Sequence, residues 1–386
     1  MRAIAFYLPQ FHAIPENDEW WGPGFTDWTN VKRATPRLPG HYQPHVPSEL
    51  GYYDLTSREA RSAQAELART HGIGGFAYYH YWFNGKLLLE RPLEEVLSLG
   101  EPDFPFCICW ANENWTRSWD GEERRVLMRQ DYAAYDPFEH IRHLARAFRD
   151  RRYIRVKDRP LFLVYNPSDL PDIAGKVIAW RQAAARLGLP GLYLASVLSH
   201  RNGLSPAAAL AVGFDASVEF FPSRRLALRR EAGSLLPWLF GRIWNKATRI
   251  LGLGGVLPVL PVTNVFSYRR ALESVLKSPA PRFKTFPCVV PSWDNSPRRR
   301  TGATVLQNLD PALYAEWLRH ALGRAEAYEP DERLVFINAW NEWAEGCHLE
   351  PDVRSGRGFL EATRDALRRC GTPQGEPAAA VAARGA

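Results

Sequence analysis

Short apolar runs bounded by turn residues recur at 3–9, 74–83, 105–113, 159–166, 191–198, 214–221, 286–293 and 334–340. They are nearly continuous in apolarity instead of alternating, as strands buried on both faces are. Amphipathic segments fall between them. One starts at Ser57 and stops at Gly72, and two others open on Asp136-Pro137 and Asp310-Pro311. A small polar cap followed by Pro at the first helical position is a helix start. Residues 170–188 and 268–278 are amphipathic as well. Eight strands alternating with helices predict the α/β class with parallel pairing, and eight strands close a (β/α)8 TIM barrel. A doubly wound open sheet is the alternative, but residues 8–14 lack its Gly-rich first turn.

Two connections are oversized, residues 10–56 after strand 1 and 222–285 after strand 6. Loops of that length inside a compact domain carry function more often than not. The expected organisation is one catalytic domain over residues 1–370, with 222–285 as an amphipathic basic insertion. The low-complexity tail 371–386 is expected to be disordered.

Composition narrows the partners. The formal charge is +7, but the basic excess sits in two loops instead of one face, so no nucleic-acid partner is expected. The five Cys form no Cys-x-x-Cys pair, which fits a reducing compartment. The N-terminal "MRAIAFYLPQ" enters strand-like sequence without the apolar core of a leader. No run of about 18 apolar residues is present. The expected location is cytoplasmic, peripheral at the inner face of the membrane.

In such a barrel the chemistry sits at the C-terminal strand ends. Those ends carry Tyr7, Pro9, Gln10 and His12; Tyr79, His80, Tyr81 and Trp82; Trp110, Asn112, Glu113, Asn114 and Trp115; Tyr165 and Asn166; Glu219; Trp293, Asp294 and Asn295; and Trp340, Asn341, Glu342, Trp343 and Glu345. The opposite ends are Pro, Gly and Phe. Indoles and phenols interleaved with amides and carboxylates suit a sugar, whose ring has an apolar face and whose hydroxyls need hydrogen-bond partners. Tyr7, His12, Trp21, Tyr79, His80, Trp82, Trp110, Asn112, Glu113, Trp115, Trp293, Asp294, Asn338, Trp340 and Asn341 are the candidate substrate contacts. The histidines His12, His41, His45, His80 and His348 have no zinc spacing, and no metal or cofactor is expected.

Glu342 and Glu345 are three apart. On a continuing strand they face opposite ways, and on a helical turn from Trp343 they face one way. Glycosyl chemistry needs such a pair, one carboxyl as acid and one as base or nucleophile. The alternative is that Glu345 sits at the N-terminus of the next helix and stabilises its dipole. Spacing alone leaves both open.

The motifs "AFYLPQFH", "WWGPGFTDWTNV", "YYHYWFNGK", "CWANENWTRSWDG", "PSWDNSPRRRTG" and "NAWNEWAEGCHLEPD" resemble the WbsX-type glycosyltransferase family, which is similar to glycoside hydrolase family 99. The resemblance runs from about residue 3 to 365 and omits much of 222–285. It implies a (β/α)8 barrel, metal-independent chemistry and a glycan substrate. It also implies catalytic roles for Glu342, as base toward a sugar 2-hydroxyl, and for Glu345, as general acid/base. Ala344 stands where family 99 has His.

Arg298, Arg299 and Arg300 follow strand 7. As guanidinium forks they would grip the phosphates of a nucleotide sugar or a lipid-linked diphosphate glycan; the other reading is a solvated run. Arg224, Arg225, Arg229, Arg230, Arg242, Lys246 and Arg249 mix with large apolar residues. They give either a membrane-surface segment over 222–262 or a helical pair packed on the barrel. No Asp-x-Asp metal motif accompanies them. The leading expectation is an enzyme making or remodelling glycosidic bonds in surface polysaccharide of the O-antigen/lipopolysaccharide type. An endo-acting retaining α-mannosidase- or mannanase-like hydrolase is the alternative, and a non-catalytic glycan-binding barrel the third reading.

Overall fold

The structure is a computed structural model that describes residues 1–117, 122–199, 203–222, 232–251, 257, 260–299 and 301–371. Arg300, Arg224, Arg225, Arg229, Arg230 and residues 372–386 of the tail lie outside the described residues, as does the side chain of Arg249.

The eight apolar runs form the eight strands of a barrel. They are β1 (Arg2–Tyr7), β2 (Ile73–Phe83), β3 (Phe106–Trp110), β4 (Arg159–Val164), β5 (Tyr193–Leu198), β6 (Ala216–Glu219), β7 (Thr285–Phe286 with Cys288–Val289) and β8 (Leu334–Ile337). All neighbouring pairs are parallel, from β1 through β6 and from β8 back to β1. Closure depends on β7. Its first half pairs Thr285 with Ser217 on β6, and its second pairs Cys288 with Phe336 on β8. Pro287 divides the halves because it has no N–H to give the ladder. Its carbonyl still accepts the Phe336 amide at 2.8 Å. Strands β3, β4 and β5 are buried along nearly their whole length, which is why their sequences show no polar alternation.

The helices begin where their caps predict. Ser57 accepts the Ala60 amide ahead of α3 (Arg58–Thr70). Asp136 caps α4 (Pro137–Arg149) and Asp310 caps α7 (Pro311–Ala325), each with Pro as the first helical residue. Removing such a cap costs about 1 kcal/mol. Cys107, Cys109, Cys288 and Cys347 are buried free thiols, as small packing residues are.

Both insertions carry helices of their own, and the first reaches the barrel mouth. Residues 10–56 hold α1 (Pro15–Trp21) and α2 (Asp27–Arg33). The second insertion holds α5 (Ala232–Ile250) and α6 (Tyr268–Leu276), with the strand Thr263–Ser267 before α6. That strand pairs in parallel with Ala303–Gln307, tying the insertion to the loop after β7. No described helix is long and apolar enough to cross a membrane.

Candidate active site

After β8 the chain makes a short hairpin. Asn341–Glu342 pairs antiparallel with Cys347–His348, and the residues between form one 3-10 turn, Trp343–Glu345. Three anchors hold it. The Asn341 amide bridges the Leu8 backbone, accepting from its N–H at 2.8 Å and donating to its carbonyl at 3.0 Å. Trp343 turns inward, stacks on His348 with ring centroids 3.7 Å apart, and donates its indole N–H to Glu350 at 2.6 Å. Gly346 ends the turn at φ +52°, where a Cβ would lie 2.8 Å from the Cβ of Asp294 and 3.0 Å from its carbonyl oxygen. Only glycine fits that approach. No α-helix follows until Gly358–Gly371, so Glu345 is not an N-terminal residue of one.

Glu342 and Glu345 converge on one cation. Arg298, in the turn Ser296–Arg298 after β7, places Nη2 3.0 Å from Glu342 and Nη1 3.3 Å from Glu345. The same guanidinium grips Asp27 side-on, Nη2 to Oδ2 at 2.8 Å and Nε to Oδ1 at 3.3 Å. Asp27 is the first residue of α2 and is fully buried. Three carboxyls thus share one arginine at the floor of a cleft of about 500 Å³.

Electrostatics separate the two glutamates. Burial pushes Glu342 up to about 8; Arg298 opposes the shift, and Glu345 and Asp27 add to it. Burial works against the Arg298 charge, but the three carboxylates outweigh it and hold its pKa well above the ordinary value. Burial also raises the phenols of Tyr79, Tyr81 and Tyr165, which therefore stay neutral donors.

The cleft wall carries Trp21, Trp115, Tyr79, Tyr81, Tyr165 and Phe220, with Gln10, Glu113, Asn114, Asn166 and Asp169 between them. Arg299 lines it too. Of the candidate contacts, the structure therefore brings Trp21, Tyr79, Glu113 and Trp115 to the cleft beside Glu342 and Glu345. The others are turned elsewhere, and strand geometry explains most of them. Successive side chains on a strand point to opposite faces. On β2, Tyr79 and Tyr81 face the cleft, so His80 and Trp82 face the helices and stack on His140, at centroid distances of 5.3 and 4.8 Å. Trp110 is fully buried against Tyr135 and Trp180. Tyr7 points outward and donates to Gln64 at 2.7 Å. Trp340 packs on Phe76, and Trp293 lies edge-on to Phe221.

The amides among the candidates fasten strand ends. Asn112 donates to the Asn166 carbonyl at 2.7 Å and accepts the Asn166 amide at 2.7 Å. Asn338 donates to the Phe221 carbonyl at 2.8 Å. Asp294 is buried and takes His41 and Gln43 at 2.6 Å each, which joins the first insertion to the loop after β7. Burial works against its charge, yet His41 and Gln43 hold its pKa below the usual carboxylate value. His12 is buried away from the cleft. Of the three arginines, Arg298 is engaged by carboxylates instead of standing ready for phosphate.

Asp27, Asp169 and Phe220 line or support the site without being singled out from sequence. Tyr81 and Tyr165 stand at strand ends and line the cleft in addition to the candidate contacts. Residue alternation on β2 was the available signal for Tyr81. For Asp27 there was none, since its partner Arg298 is 271 positions away.

A closed parallel barrel with paired carboxyls below an aromatic and amide-lined cleft is the arrangement of a carbohydrate-active barrel. Comparison supplies the family: the family described as Glycosyltransferase WbsX matches residues 3–363, and the chain belongs to it. Two proteins described as WxcX, from Xanthomonas campestris pv. campestris strains B100 and ATCC 33913, are 41% identical over 367 residues. The match covers 95% of this chain and 49% of theirs, so the chain spans about half the length of these relatives. Among solved structures, a glycoside hydrolase-like protein aligns with TM-score 0.57 at 13% identity, covering 95% of this chain and 93% of that one. The GH99 endo-alpha-mannosidase of Bacteroides thetaiotaomicron aligns with TM-score 0.55 at 12% identity, covering 96% and 97%. These likenesses establish the (β/α)8 fold.

Proposed function

We propose that this chain is a glycosyltransferase that builds or remodels a surface polysaccharide of the O-antigen/lipopolysaccharide type, with Glu342 and Glu345 as the reacting carboxyls. Residues 1–370 act as one catalytic domain. The observation that carries the reading is the pair of carboxyls on the two Nη atoms of Arg298, at the base of an aromatic cleft. Retaining glycosyl chemistry needs two carboxyls close to one sugar carbon, and a shared guanidinium keeps them close. Glu342 acts as base. A carboxyl raised to about 8 gives a carboxylate basic enough to take a hydroxyl proton near neutral pH. Glu345, partly exposed at the cleft, serves the glycosidic oxygen as acid and then base. Indole and phenol faces bind the sugar's apolar side, and Glu113 and Asn166 meet its hydroxyls.

Arg299 is the cleft residue suited to the phosphate of a nucleotide sugar or a lipid-linked diphosphate. The commitment of Arg298 to carboxylates favours, as the second reading, an endo-acting retaining hydrolase that needs no phosphate grip. Incubation with nucleotide sugars and with oligosaccharides, followed by mass spectrometry, separates them. Mass gained on an acceptor supports transfer, and mass lost supports hydrolysis. Full activity in both Glu342→Gln and Glu345→Gln would refute the site.

The cytoplasmic face of a membrane is the proposed location. On α5, Leu236, Leu239, Phe240, Ile243 and Ile250 are exposed together, with Arg242 and Lys246 exposed beside them. An apolar stripe flanked by basic residues suits an anionic lipid surface. Co-sedimentation with anionic liposomes that is unchanged by Leu236→Asp and Phe240→Asp would rule this out.

A further inference from the structure

His45 and His348 lie 303 positions apart, yet their rings meet edge to edge, Nδ1 of the first 2.9 Å from Nε2 of the second. Asp352 completes a cluster. One donor atom from each of the three lies within 4.8 Å of the other two, and all three residues are buried. They line a cavity of about 30 Å³, the room one water or one ion occupies.

Two further observations point to a cation. The first is the tautomer of His348. Its Nδ1 donates to the Glu350 carbonyl at 2.8 Å, which leaves the Nε2 lone pair aimed at His45. Metal-ligating imidazoles are held in this way by a carbonyl behind the ring. The second is charge. Asp352 is only 5% exposed; its Oδ1 accepts the Ser355 amide at 2.5 Å, and no cationic side chain pairs with the carboxylate among the described residues. Arg354 also lines the cavity, but its guanidinium lies over the Tyr42 ring, 4.9 Å from the centroid. A buried carboxylate is stable when paired with a cation or ligating a metal.

We propose that His45, His348 and Asp352 bind one divalent transition-metal ion of the zinc class. Two imidazoles and a carboxylate are ligands zinc takes tetrahedrally, with Zn–N about 2.0–2.1 Å. That bond length puts ligand nitrogens about 3.3 Å apart, so the observed pair needs to open by a few tenths of an ångström and both rings to turn toward the ion, since the two nitrogens now face each other. On loading, the His45 proton moves from Nδ1 to Nε2 and both lone pairs face the ion, with no net proton change. Water takes the fourth position. None of the three ligands lines the cleft that holds Glu342 and Glu345. The ion is therefore a clip. His45 belongs to the first insertion, and His348 pairs across the hairpin with Asn341, next to Glu342. Binding ties the insertion to the frame of the carboxylate turn.

The test does not depend on the proposed activity. The full chain, stripped with a chelator, reloaded with Zn²⁺ and passed through gel filtration, is expected to retain one ion per chain. His348→Gln and Asp352→Asn are expected to lose it. The thermal midpoint should rise with Zn²⁺ in the wild type and stay still in both variants. If a variant fails to fold, the absorption spectrum of the Co²⁺-loaded wild type decides: a tetrahedral nitrogen–oxygen ligand field supports the site. A chain that retains no ion, an octahedral aquo-like Co²⁺ spectrum, or retention unchanged in both folded variants overturns it.

Discussion

Replacing Arg298 by Gln removes the cation that, among the described residues, Asp27, Glu342 and Glu345 share. Among the described residues Asp27 has no other cationic partner, and it is fully buried. Breaking a buried pair from one side leaves an uncompensated charge and costs about 3–5 kcal/mol. Arg298→Gln should therefore lower the denaturant midpoint by that loss divided by the m-value, with m itself unchanged. Asp27→Asn in the same background removes the stranded charge. The double variant should recover about 1–3 kcal/mol relative to the sum of the singles, as directly coupled residues do. A second readout follows from the site. Arg298 is the group that opposes the upward shift of Glu342, so its loss raises that pKa further. The limb of the rate profile that reports Glu342 should move to higher pH. An Arg298→Gln protein with the wild-type midpoint, or losses at 27 and 298 that simply add, would refute the shared-cation account.

Other outcomes can be checked separately. With Glu342 as base, kcat/KM should fall about tenfold for each pH unit below about 8; a profile that instead falls as pH rises through 8 would make Glu342 the acid. Glu342→Gln and Glu345→Gln should each lower kcat/KM by about 10²–10⁴-fold, the usual contribution of a positioned acid or base, with circular dichroism unchanged. Burial pushes Glu350 up to about 7, against about 4.3 for an unfolded carboxyl. The native state thus binds the extra proton between those values, and this residue's contribution to stability falls by about 4 kcal/mol as pH rises through that window. Unfolding curves across pH should show the decline, and Glu350→Gln should flatten it. Trp115→Ala should raise KM for a glycan more than it lowers kcat, while Trp110→Ala, a cut in the packed core, should cost about 3–5 kcal/mol of stability.

The sequence by itself determined the barrel. Eight buried runs, helix caps at Ser57, Asp136 and Asp310, and the long segments after β1 and β6 are local signals, written in periodicity and turn chemistry. It also located Glu342 and Glu345 at the end of the last strand, because barrel topology sends every strand end to one face. Tertiary structure decided which strand-end residues reach the cleft. The choice between Tyr81 and Trp82, or between Glu113 and Asn112, depends on pleat and register, which composition does not show. It alone assigned Arg298 to carboxylates, because Asp27 approaches it from a helix 271 positions earlier. The same holds for His45 and His348, which no spacing rule connects. Long-range pairs of this kind arise only when an insertion folds back over the barrel mouth, and the chain has no local code for the distance it closes.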